Sequence, residues 1–73
     1  MACVGADGSL TASARAILAA TRRGGTAESI AATTGLPLYR VRGALRELLA
    51  ANLIEPFEGG HRLTPAGETR LRA

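Results

Sequence analysis

Three arginines, Arg40, Arg42 and Arg46, crowd the front of the stretch LPLYRVRGALRELLAANLIE, and no acid lies between Leu38 and Arg46. A guanidinium is a rigid fork of donors that bonds the O6 and N7 acceptors of guanine bidentately and holds a phosphate equally well. Other chemistries find fewer residues. His61, Cys3 and Asp7 are the single histidine, cysteine and aspartate of the chain, far apart in sequence. They do not assemble a nucleophile, base and orienting group, nor a cluster with metal-ligand spacing. Without a lysine there is no glycine-rich phosphate loop followed by one. Catalysis, cofactors and metals are therefore not expected, and recognition by arginine is.

A helix must carry those arginines. At about 100° per residue, Val41, Ala44, Leu45 and Leu48 group on one face, and Tyr39, Arg42, Gly43, Arg46 and Ala50 on the other, with Arg40 and Leu49 on the flanks. The helix is predicted over about 38–51, with Asn52 as its left-handed C-terminal cap. Arginines on a solvated helix face also serve as plain solubilising charge, and Glu47 is available to pair with neighbouring basic groups. Tyr39 reads equally as a base reader and as an aromatic packed across a turn.

Ahead of it, LTASARAILAATRRGG reads as a first helix with Thr11 as N-cap, a stripe of Leu10, Ala14, Ile17, Leu18 and Thr21, and Gly24-Gly25 as the stop. TAESIAATTG reads as a second, with Thr26 capping Ser29, Ile30 and Ala31 inward, and Gly35 ending it. Only Leu36-Pro37 separates the second helix from the third, the spacing of a helix-turn-helix unit. After Asn52 the period changes. LIEPF and HRL flank Gly59-Gly60 and read as a β-hairpin with a two-glycine turn, in which Pro56 fits if the side lacking its N–H faces solvent. Thr64 and Pro65 then open a last short helix.

Seventy-three residues with net charge +3 make one small domain, residues 10–73, preceded by a Gly/Ala/Ser-rich segment, 1–9, expected to be disordered. All nine basic residues are arginine, and alanine is abundant, which suggests a GC-rich coding sequence. One cysteine permits no disulfide framework. No signal peptide or membrane-spanning stretch is evident, so a cytoplasmic protein is expected.

The order helix, helix, tight turn, helix, hairpin, helix resembles the winged helix-turn-helix domain of prokaryotic transcription regulators, nearest to the MarR and PadR groups. The residues that carry the resemblance are Ile30-Ala31, Thr34-Gly35-Leu36, the Val41, Leu45, Leu48 spacing, Leu53-Ile54 and Leu63-Thr64-Pro65-Ala66-Gly67. They span roughly residues 10–70, and it is their order that is specific. The resemblance implies a mostly α fold with a two-stranded wing, and a third helix that enters the major groove of double-stranded DNA. Tyr39, Arg42, Gly43 and Arg46 are then candidates for base contact and Arg40 for a phosphate. Arg62 resembles the wing arginines that approach the backbone or minor groove; His61 beside it could add a donor but reads more simply as a plain wing residue.

Thr26 and Ala27 at the start of the second helix offer amides to a phosphate, although capping alone accounts for Thr26. Arg22 and Arg23 suit the dipole at the end of the first helix. The same fold also serves as a protein–protein adaptor, and Glu55 and Glu58, which would face phosphate, favour that alternative. A homodimer through Ala12, Ala16 and Ala19 and a partner protein carrying a sensor are both compatible with the chain.

Overall fold

The structure, a computed structural model, describes residues 10–72. The expectation of disorder for 1–9, with Cys3 and Asp7, lies outside the described residues. Thr11, extended, accepts the amide of Ala14 through its hydroxyl at 3.1 Å and so starts α1 (Ala12–Ala20). The expected stripe is the buried one: Ala14, Ile17, Leu18 and Thr21 are inside, and Leu10 packs against them. The helix ends at Ala20, short of Gly24-Gly25. Thr21 accounts for this. Its hydroxyl donates back to the Leu18 carbonyl at 2.7 Å, while its own carbonyl accepts from Gly24 at 2.9 Å and Leu63 at 3.2 Å. Arg22, beyond the helix end, pairs with Glu68 at 2.9 Å rather than serving the helix terminus.

α2 (Ala27–Thr34) opens on a reciprocal capping box. The Thr26 hydroxyl takes the Ser29 amide at 3.1 Å and the Ser29 hydroxyl takes the Thr26 amide at 3.0 Å. It closes on Gly35, at φ 74°. α3 (Leu38–Ala50) begins directly after Pro37 and buries Val41, Ala44, Leu45 and Leu48. Its end satisfies two otherwise free carbonyls: Leu53 donates to Leu48 and Asn52 to Leu49, both at 3.0 Å, with Asn52 at φ 62°.

Leu53 and Ile54, both buried, lead into β1 (Ile54–Phe57), which pairs antiparallel with β2 (Gly60–Leu63) in the register Ile54 to Leu63 and Phe57 to Gly60. The turn is Glu58-Gly59, at φ 46° and 79°, and not Gly59-Gly60 as expected from sequence. Two requirements fix it. In this register Pro56 opposes His61 at a position whose N–H points away from the partner strand, so its missing donor costs the ladder nothing. A Gly59-Gly60 turn would put Pro56 where a ladder donor is required. Gly60 is needed elsewhere: a Cβ there would overlap the Gly25 carbonyl.

That close approach joins the hairpin to the helices. Gly25 and His61 exchange backbone bonds of 2.9 and 2.8 Å, a single antiparallel bridge. α4 (Pro65–Arg72) is capped by Thr64, whose hydroxyl accepts from Gly67 at 3.0 Å and donates to the Asn52 carbonyl at 2.8 Å. It lies along α1 through the Arg22–Glu68 pair and through Arg15, which donates to the Leu71 carbonyl at 2.6 Å. The described chain is thus four helices and a two-stranded antiparallel hairpin around one core of Ile17, Leu18, Ile30, Val41, Leu48 and Ile54. Among the described residues no helix is long and apolar enough to cross a membrane.

Candidate nucleic-acid interface

The face of α3 opposite its core stripe carries Tyr39, Gly43, Arg46 and Ala50, flanked by Arg40 and Glu47 on one side and by Arg42 and Leu49 on the other. Tyr39 is 76% exposed and Leu49 40%, the two large apolar-bodied side chains left uncovered among the described residues. Tyr39 does not pack across the turn. At Gly43 an added Cβ would point into open space, with only Arg46 Nη2 near it, at 4.0 Å. Arg46 forms no ion pair among the described residues.

Arg42 turns toward the start of α2, where its Nη2 donates to Glu28 Oε2 at 3.3 Å. Arg42, Leu45, Arg46 and Leu49 then form one wall of a shallow cleft completed by Ala27 and His61. His61 sits between two demands. Its backbone is bound to Gly25, while its buried Nδ1 has no hydrogen-bond partner.

Arg62 is on the other side of the hairpin. Side chains alternate along a strand, so Leu63, packed on the core, places His61 on its own face and Arg62 on the opposite one. There Arg62 Nε pairs with Glu55 Oε2 at 2.7 Å and its guanidinium lies 4.5 Å from the centre of the Phe57 ring. The structure therefore brings Arg42, Arg46 and His61 together and separates Arg62 from them.

Thr26 has its amide and hydroxyl engaged in the capping box, so its side chain is not turned to a ligand. The sequence does not point to Glu28, and it offers His61 as a neighbour of Arg62 on the wing, not of Arg42 and Arg46. The signal for His61 was the alternation in HRL once Leu63 is inward. Glu28 had no local signal, because its partner is on another helix.

These ion pairs are exposed, 56% and 67% for Arg42 and Glu28 and 49% and 43% for Arg62 and Glu55. Pairs of that kind are worth about 0–1 kcal/mol, so an outside acceptor can displace either one. The result is an exposed helix face with guanidinium groups on it and beside it. No family model, curated protein or solved structure matches the chain.

Proposed function

We propose that this chain is a winged helix-turn-helix domain of the MarR/PadR kind, a small cytoplasmic regulator that binds double-stranded DNA in a sequence-specific manner and is not an enzyme. In this reading α3 is the recognition helix and lies in the major groove, which is wide enough for one helix. Arg42 and Arg46 read base edges, Arg40 holds a phosphate, and Tyr39 stands over the groove. Thr26 marks the helix start nearest the backbone, and Arg62 reaches a phosphate by leaving Glu55.

Gly43 carries the reading. A glycine inside a helix costs roughly 0.5–1 kcal/mol against alanine, yet nothing in the fold lies within reach of a Cβ there except the tip of Arg46. Close approach of an outside surface gives that position a use. Replacing Arg42 or Arg46 by alanine is expected to cost about 1–3 kcal/mol on a duplex selected from a randomised library and to relax base preference. Unchanged binding by both variants would remove α3 from the interface.

A second reading, an adaptor that binds protein, has its own support. Tyr39 and Leu49 are exposed on α3, and Arg42 and Arg62 are already paired with acids. Anisotropy of a random duplex across a salt series separates the two readings, since even non-specific DNA binding strengthens as salt falls. No binding at low salt leaves the adaptor as the better account.

A further inference from the structure

Glu28 lies in the first turn of α2, and its carboxylate is bound to Arg42 by one contact of 3.3 Å. Charge-assisted N–H···O bonds are usually about 2.7–2.9 Å, and an exposed pair like this one shifts an equilibrium about fivefold at most. A bidentate guanine contact, which distinguishes the right base from a wrong one by about five- to 150-fold, offers Arg42 two bonds in place of the single 3.3 Å contact to Glu28 and so can draw it away. A phosphate competes for the guanidinium as well, but it is an anion that must approach the Glu28 carboxylate to do so, whereas the guanine edge is neutral and meets no such repulsion. The carboxylate also opposes the backbone by its own charge, at the helix end where a phosphate would otherwise dock.

We propose that Glu28 is a specificity-determining residue: it withholds Arg42 from the DNA backbone and releases it to a guanine edge. The proposal rests on the DNA-binding reading above and adds to it an internal competitor that sets how strongly the protein holds sequences it does not recognise. Arg46, with no ion pair among the described residues, has no such restraint and supplies contact to any duplex.

The test compares the parent chain with Glu28→Gln, Arg42→Gln and the double variant, by anisotropy on a random duplex and on a selected, guanine-bearing one, across a salt series. Glu28→Gln is expected to bind the random duplex about three- to tenfold more tightly at low salt, with the slope of log K against log salt steeper by about one. The gain on the selected duplex is smaller, so the ratio between the two narrows. In the Arg42→Gln background most of the gain disappears. An unchanged random-duplex affinity in Glu28→Gln, or a gain of the same size without Arg42, overturns the filter and leaves DNA binding standing. If the parent binds neither duplex at low salt, the DNA-binding reading fails and the filter with it.

Discussion

At the scale of single residues, Gly43 separates stability from binding. Because a Cβ there meets only Arg46 Nη2 at 4.0 Å, Gly43→Ala is expected to stabilise the fold by about 0.5–1 kcal/mol, a rise of roughly 2–8 °C in thermal midpoint for a domain of this size. Its affinity for the selected duplex should fall. A variant that is more stable and binds as tightly would leave the glycine without a purpose at the interface. The residues most legible in the sequence were the caps. Thr11, Thr26, Asn52 and Thr64 each act on amides or carbonyls within a few positions, so residue type and spacing suffice to place them. The pairs Arg42–Glu28 and Arg62–Glu55 were not legible. Each joins two elements, and which side chains meet depends on how those elements cross.

At the scale of elements, the helices followed from their apolar stripes and the hairpin from its change of period, but the details of the hairpin did not. Its turn falls at Glu58-Gly59 because Pro56 needs the outward-facing position and Gly60 must lie against Gly25. The first constraint was present in the sequence; the second is a contact between residues 35 apart in the chain. It is also the easiest to break. Gly60→Ala drives a methyl into the Gly25 carbonyl, an overpacking expected to cost about 1–3 kcal/mol. Hydrogen exchange at the Gly25 and His61 amides should accelerate strongly while the centre of α3 remains protected. Equal acceleration throughout would mean that the hairpin and the helices open as one unit. Because His61 lines the cleft beside Arg42 and Arg46, loosening it is also expected to weaken duplex binding.

At the scale of the whole molecule, the charge that matters is smaller than nine arginines suggest. Arg22 and Arg72 are paired with Glu68, Arg42 with Glu28 and Arg62 with Glu55, and Arg15 is tied to the end of α4. In the DNA-binding reading Arg40, Arg46 and Arg62 are the groups set against phosphates, so the slope of log K against log salt on a random duplex should be about −3 per protomer. A slope near −8 would require a second basic surface or a second copy on the same duplex, which sedimentation of the complex distinguishes. The longest dimension, 30 Å, covers about nine base pairs at roughly 3.4 Å each, so one protomer spans less than a turn of DNA. The Gly25–His61 bridge bears on how copies can meet. It occupies the outer side of β2, where Leu63 also donates to Thr21, and on β1 the middle outward position is Pro56, which has no donor to give. The β2 margin therefore has no room for a strand from a neighbouring chain, and the β1 margin offers such a strand a proline where it would need a donor, so the hairpin is a poor template for continuous sheet.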